Sequence, residues 1–230
     1  MGEGRAWVKL SGGYIVSATG PQGLALVWVQ ADAAGLTLSS QPLADGSYAA
    51  QIDLNSVRLP ASHLLAEGAA AAAALTRAYD ETLVLASVEL LALVRSMLTM
   101  TQDYLRTRIQ FGKPIGSFQS LQHRTVDLLI QQELTASVVT QALALLDDPA
   151  ADASARSALA SRVKSRASDA GLQVAREAVQ LHGAIGVTDE YDLGLYLQRA
   201  LVLSAWLGNG TQQRRRYANL TQNATAQEHA

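Results

Sequence analysis

The sequence predicts a mainly α protein, an antiparallel bundle of four long helices preceded by a small partial β domain. Three observations lead there. The chain changes character near residue 68, from glycine-punctuated runs of β-branched and polar residues to unbroken helical periodicity. Beyond that point apolar residues are spaced alternately by four and three through one segment after another, as in helices that bury one stripe against their neighbours. The composition is 49% hydrophobic but only 5% aromatic, so the core is aliphatic, and alanine-rich aliphatic cores suit closely packed helices.

In the β portion, Trp7, Val8 and Leu10 precede Gly12 and Gly13, Ile15 and Val16 follow, and residues 24–29 form a short apolar run. Runs bounded by glycine and proline read as strands, as do residues 51–54 and Val57 to Leu59 before Pro60. This gives four or five short strands. Six alanines, Ala69 to Ala74, then open a helix whose seam is Leu75, Tyr79, Leu83, Ala86, Leu90, Leu93, Met97, Met100 and Tyr104. Extending to Arg108 at about 1.5 Å per residue, it spans roughly 60 Å. Gly112 and Pro114 stop it, and Ser117 is the expected N-cap of a second helix carrying Val126, Ile130, Leu134, Val138 and Leu145 before Pro149.

The third helix shows Leu159, Val163, Ala167, Ala170, Val174, Ala178 and Leu181 and ends at Gly183. The fourth occupies much of residues 192–220, with a break at Gly208 to Gly210, and the polar stretch 147–154 reads as an exposed turn. The expected organisation is a partial β domain over 1–67, the bundle over 68–221 and a frayed tail over 222–230.

A chain of 230 residues can bury a sizeable core. A net charge of -2 from 18 basic and 20 acidic residues removes the strongest argument for nucleic acid as a partner. The absence of cysteine excludes a disulfide scaffold, a thiolate metal site and a cysteine nucleophile, and fits a reducing compartment. No second histidine stands at ligand spacing from His123, so no metal site is expected. The first nine residues lack an apolar stretch behind a basic start, and no run approaches the roughly 20 apolar residues that cross a bilayer. The expectation is a cytoplasmic protein with no membrane partner.

The densest chemistry joins helices one and two: Arg106, Arg108, Phe111, Gly112, Lys113, Pro114, Ile115, Phe118, Gln119, Gln122 and His123. Arg108 falls near a helix C-terminus, Phe111 projects from a turn and Gln119 lies in a first helical turn. A planar guanidinium beside an aromatic ring and an amide can grip a phosphate and cover an adenine, although an arginine at a helix C-terminus serves equally as a partner of the helix dipole. A second dense stretch runs from Gln180, Leu181, His182 and Gly183 through Ala184, Ile185, Gly186, Val187 and Thr188 to Asp189, Glu190 and Tyr191, followed by Tyr196, Leu197, Arg199 and Ala200. By chemistry alone His182 serves equally to satisfy a helix end, and Gly186 to cap or turn it.

The first stretch resembles the signature of the acyl-CoA dehydrogenase family between its two longest C-terminal helices. The second is similar to that family's flavin-contacting turn between the third and fourth helices. The β portion is similar to its middle domain, so the resemblance covers nearly the whole chain. It implies an FAD-dependent flavoprotein that oxidises an acyl-CoA thioester to the 2,3-enoyl-CoA. A carboxylate takes the α-proton, the flavin takes the β-hydrogen as hydride, and electrons pass to an electron-transfer flavoprotein. It also implies that Arg108, Phe111 and Gln119 grip the adenine and pyrophosphate of an FAD held mainly by a neighbouring subunit. Gln180, His182, Gly183 and Thr211 are implied as further cofactor contacts.

Two departures from the family pattern qualify this. The family's N-terminal helical domain and early strands have no counterpart in this sequence, and residues 18–23 are a shortened stretch. The family's usual base, a glutamate before a Gly-Thr pair, is replaced by Asn209 before Gly210 and Thr211. Relatives that carry the base on the first long helix point to Glu81, with Glu89 as the alternative, and either carboxylate also fits a solvated bundle edge. The reading is a subunit that completes a flavin site within a homo- or hetero-oligomer. Its competitors are an inactive paralogue or truncated fragment acting only in assembly, and a flavin-free helical interaction module.

Overall fold

The structure, a computed structural model, describes residues 12–228, with side chains to residue 222. The strand expected around Trp7, Val8 and Leu10 lies outside these residues. The chain divides into two compact units at Ala78 and Tyr79.

In the first unit, β1 (Gly13–Gly20), β2 (Gly23–Gln30) and β5 (Leu64–Glu67) form an antiparallel sheet with β2 central. β1 and β2 are joined by the two-residue turn Pro21 and Gln22, and Gly20 pairs with Gly23 at its base. Proline presets the turn's first φ. The Gln22 N–H donates to Glu67 Oε1 at 3.2 Å, tying the turn to β5. β3 (Leu36–Pro42) and β4 (Tyr48–Leu54) make a separate hairpin. The strand expected at Val57 to Leu59 is not formed. Ser56 takes a left-handed φ of 55°, which breaks the extended chain, and Pro60 has no N–H to add to a ladder. β3 and β5 were not foreseen.

The second unit is built from long helices: α1 (Gly68–Thr107), which begins in the first unit, α2 (Gln119–Asp147), α3 (Ala153–His182), α4 (Leu193–Ala205) and α5 (Gly210–Glu228). The fourth expected helix is thus α4 and α5, broken where the glycines predicted. Its second half stays helical to Glu228, past the expected end near residue 220. Asp152 caps α3 by accepting from the Ala155 N–H at 2.8 Å. Ser117 does not cap α2; its hydroxyl donates to the Pro114 carbonyl at 2.7 Å, and Phe118 holds the N-cap position.

α3 is the helix on which the others pack. Its buried residues include Ser157, Ala160, Ser161, Ala167, Ser168, Ala170, Gly171, Ala175 and Ala178, and they extend around more than one face. Small side chains let neighbouring backbones come close, and a Cβ at Gly171 would stand 3.0 Å from Leu90 Cδ2. Leu90, Val94 and Met97 of α1, Leu128 of α2, and Ala200 and Leu203 of α4 complete the main cluster. The α1 and α3 seams fall largely where the spacing placed them, except for exposed Leu75. α2 does not follow its prediction. Leu128, Thr135, Val139 and Ala142 are buried, while Val126, Ile130 and Leu134 are 52%, 47% and 52% exposed. α2 carries apolar residues on more than one side, so periodicity alone does not select the inward face.

α1 is long and apolar enough to cross a membrane by length and composition, contrary to the sequence reading. Half of its most apolar window is buried within the protein. One polar tie crosses the core: Asp80 of α1, 1% exposed, pairs with Arg216 of α5 at 2.6 Å and accepts from Ser157 of α3. Removing one partner of such a pair leaves a poorly solvated charge behind. Asp80→Ala should destabilise the chain by about 3 kcal/mol in urea unfolding; a change within about 0.5 kcal/mol would show the pair to be dispensable.

Candidate functional site

The structure gathers the predicted residues into two groups, one at each end of the shared stretch of α1. The first begins where α1 ends. The Arg108 N–H closes the helix on Tyr104 O at 2.8 Å, and its carbonyl accepts from Ile115 N at 2.8 Å. Between them the chain forms a small antiparallel hairpin of β6 (Ile109–Gln110) and β7 (Lys113–Pro114), where the sequence indicated only a turn. Its two central residues, Phe111 and Gly112, have φ of 54° and 77°, as in a type I′ turn. Phenylalanine rarely adopts such a φ, and here it holds a ring that is 90% exposed out from the surface.

The ring of Phe118 supports Phe111 edge-on at 6.0 Å, and Lys113 Nζ stands 4.4 Å over Phe118. Gln119 is the first residue of α2 and is exposed. Among the described residues the side chains of Arg108 and Gln119 have no hydrogen-bond or ion-pair partner.

The Gln180 to Gly183 turn joins this group. Gly183 ends α3 with φ 66°, and its N–H caps the Gln180 and Val179 carbonyls. A Cβ there would meet only open space, so backbone conformation rather than crowding requires glycine. Gly186 is the opposite case: a Cβ would stand 3.0 Å from both His182 Cβ and Val179 O. Gln180 is exposed, but the His182 side chain is turned inward at 2% exposure. Its Nδ1 donates to Ala178 O at 2.8 Å, and its ring stacks on Tyr104 at 4.6 Å and lies 4.9 Å from Tyr191. Burial holds the imidazole below its ordinary pKa, with the Ala178 bond acting in the opposite sense. A ligand on this turn therefore meets the backbone of residue 182. The stack on Tyr104 fixes the turn at the Arg108 end of α1.

The second group is the break between α4 and α5. Asn209 caps α5: its Oδ1 accepts from Gln212 N at 3.0 Å, and Gln212 Oε1 accepts from Asn209 N at 2.9 Å. This is a reciprocal capping box, legible in the spacing of Asn209 and Gln212 but missed there. Thr211 is exposed, and its hydroxyl accepts from Arg214 at 3.1 Å. The Leu207 carbonyl accepts from Tyr79 Oη at 2.7 Å and from Gln213 Nε2 at 2.6 Å, which anchors the break to the start of the second unit. Tyr79 and Tyr104 are roughly 38 Å apart along α1 at 1.5 Å per residue. That separation is longer than an extended dinucleotide.

Of the candidate bases, Glu89 is paired with Arg199 of α4 at 2.6 Å. Glu81 is half-buried on α1, two residues from Tyr79 and about 200° around the helix from it. Sequence reasoning missed Lys164 altogether. Its ammonium is fully buried, donates to Ser168 Oγ at 2.9 Å and to the Ser204 and Gly208 carbonyls at 3.3 Å each, and burial lowers its pKa from 10.5 to about 8. The sequence signal was a lysine flanked by Ser161, Ser165 and Ser168 on a helix face of small residues.

Residues 68–220 match the family defined as acyl-CoA dehydrogenase, C-terminal domain. The chain is 39% identical over 137 residues to acyl-CoA dehydrogenase IpdE2 of Mycolicibacterium smegmatis, covering 60% of this chain and 41% of that one. It superposes with a TM-score of 0.82 and 30% identity on a variant of the Tcur3481-Tcur3483 steroid ACAD, covering 94% of this chain and 56% of that one. The TM-score is 0.79 with 26% identity for the ChsE4-ChsE5 complex from Mycobacterium tuberculosis, covering 93% and 56%. The chain thus spans about half the length of these relatives.

Lys164 makes a signed prediction for pH. Below its folded pKa of about 8 the native state carries the buried charge; above its ordinary 10.5 neither state does. In between the unfolded chain binds more protons, so stability rises with pH, by on the order of 3 kcal/mol across the window. Urea unfolding at about pH 7 and about pH 10 should show this gain for the wild type relative to Lys164→Met; parallel pH dependences would contradict it. Asn209→Ala should cost about 1 kcal/mol through loss of the cap, read in the same experiment at neutral pH.

Proposed function

Because the chain belongs to the acyl-CoA dehydrogenase family, we propose that it is an FAD-binding subunit taking part in the α,β-dehydrogenation of an acyl-CoA thioester within a homo- or hetero-oligomer. The observation that carries this reading is the pairing of an exposed, unpartnered Arg108 and Gln119 with the outstretched ring of Phe111, beside the exposed Gln180 and Gly183 turn. An aromatic ring held in solvent at a strained φ is unfavourable unless a ligand or partner covers it.

The residues fit the adenine and pyrophosphate half of FAD. Arg108 supplies charge-assisted donors to the pyrophosphate, Phe111 covers the adenine, and the side-chain amides of Gln119 and Gln180 donate to the remaining oxygens. Gly183 leaves open space for that approach. Thr211 belongs to the far group, roughly 38 Å along α1, so each chain touches two different flavins. This is the arrangement expected of an oligomer whose sites lie between subunits. FAD, when bound, supplies the acceptor for the β-hydrogen and passes electrons to an electron-transfer flavoprotein.

The proton step needs a carboxylate. Asn209 has none and caps a helix, so within this chain the role is assigned to Glu81, the position to which relatives with the base on the first long helix point, with Glu89 as the alternative. The unlike-subunit assembly is favoured by the structural likeness to the ChsE4-ChsE5 complex. Catalytic inactivity, with the chain acting only in assembly, is the competing reading and is favoured by the amide at residue 209.

Purified alone, the chain should retain little FAD, and it should gain flavin absorbance when co-expressed with a full-length acyl-CoA dehydrogenase subunit. Stoichiometric tight FAD on the isolated chain would refute the shared site. A stable complex that never acquires FAD would favour the assembly role. In the complex, Arg108→Ala should weaken FAD binding by about tenfold or more, as expected for a lost charge-assisted contact. Glu81→Gln should abolish turnover while flavin stays bound; unchanged turnover would remove Glu81 from the chemistry.

A further inference from the structure

The segment 206–209 between α4 and α5 is non-helical backbone within the bundle, and its shape is unusual. Leu207 has φ 58° and Gly208 φ 95°, two successive left-handed residues of which the first is bulky. Carbonyls released at such a break need donors, because an unsatisfied buried carbonyl is costly. Several have one: Ala205 O from Gly208 N at 3.2 Å, Leu207 O from Tyr79 and Gln213, and Gly210 O from Ser165 Oγ at 3.0 Å, while exposed Trp206 is open to water. Lys164 alone among these donors joins the two sides of the break, binding Ser204 O on α4 and Gly208 O in the turn through one nitrogen.

This lysine is an expensive donor. It has no carboxylate partner among its contacts, and an apolar side chain of similar length would serve bundle stability more cheaply. What an apolar residue would not do is fix the turn relative to α4. The residues held by that fixation are Asn209, Gly210 and Thr211, at the start of α5.

We propose that Lys164 is a positioning residue: by clamping Ser204 and Gly208 it fixes the turn that starts α5 and so presents Thr211 to the flavin. The clamp works with the amine in either protonation state. The ammonium donates to all three partners; the neutral amine donates to both carbonyls and accepts from the Ser168 hydroxyl. The turn therefore keeps its place although the lysine is held near its titration range. This inference rests on the flavin reading, so its test contains a measurement that does not depend on flavin.

The full chain, alone and in the flavin-loaded complex, is compared with Lys164→Met and Lys164→Gln. Hydrogen exchange at residues 206–213 should accelerate at least tenfold in Lys164→Met while residues 128–142 keep their rates. In the complex, FAD affinity and kcat should both fall about tenfold, with KM for the acyl-CoA little changed. Lys164→Gln, which retains an amide donor, should recover part of each; it also replaces the methionine variant if that one does not fold. Unchanged exchange at 206–213, or acceleration spread evenly over the chain, overturns the clamp. Local acceleration with unaltered FAD affinity and turnover reduces Lys164 to a structural part and overturns the positioning role. A wild-type complex without FAD refutes the flavin reading, and the positioning role with it, and is told apart because the wild type itself fails.

Discussion

The bundle depends on how it holds a stretch of chain that is not helix. Between Ala205 and Gly210 the main chain turns through two half-buried left-handed residues at the edge of the core, and the carbonyls of Ser204, Ala205, Leu207, Gly208 and Gly210 are each met by a side chain from another helix or by a local N–H. Tyr79 reaches from α1, Lys164 and Ser165 from α3, and Gln213 from α5. The polar residues along α3 have this work to do, and the Asp80 and Arg216 pair closes the same three helices nearby. Without these donors the half-buried carbonyls of the break would lack partners. With them it is a rigid corner from which α5 starts at a defined place.

Packing elsewhere follows from side-chain size. α3 is lined with alanine, serine and glycine, so α2, α4 and α5 approach it closely, and Leu90, Val94 and Met97 of α1 fill the remaining space to give a core with almost no aromatic residues. The few aromatic rings are used at the ends. Tyr104, His182 and Tyr191 stack to fix the Gln180 turn, Phe118 props Phe111, and Tyr79 lies beneath Arg216. Rings therefore act here as struts for loops more than as core filling, and both loops so propped carry exposed polar groups.

The two groups of candidate residues lie at opposite ends of a long stretch of α1, and this geometry gives the family relationship a physical form. One chain supplies a hairpin with an exposed arginine and aromatic ring at one place and a helix start at another. Asn209 at that helix start has a structural occupation, the capping box with Gln212, which accounts for an amide at the position.

Much of this was legible from residue order. The change at residue 68, the helices, the break at the paired glycines and the Gly183 stop all follow from periodicity and from glycine and proline, which act locally along the chain. The hairpin and turn motifs were legible as residue types in a fixed order. The inward face of α2 was not, because a helix apolar on several sides is oriented only by its neighbours, and so Leu128 is buried and Ile130 exposed. Nor were the roles of Lys164, Tyr79 and Asp80, whose partners lie from about 40 to more than 130 positions away. The inward turn of His182 likewise depends on Tyr104, far earlier in the chain. Sequence alone determined which segments are helices and where they stop, because those preferences are local. The tertiary structure decided which polar groups hold the break and which remain free for a ligand, because satisfying a buried donor or acceptor depends on what the fold brings beside it.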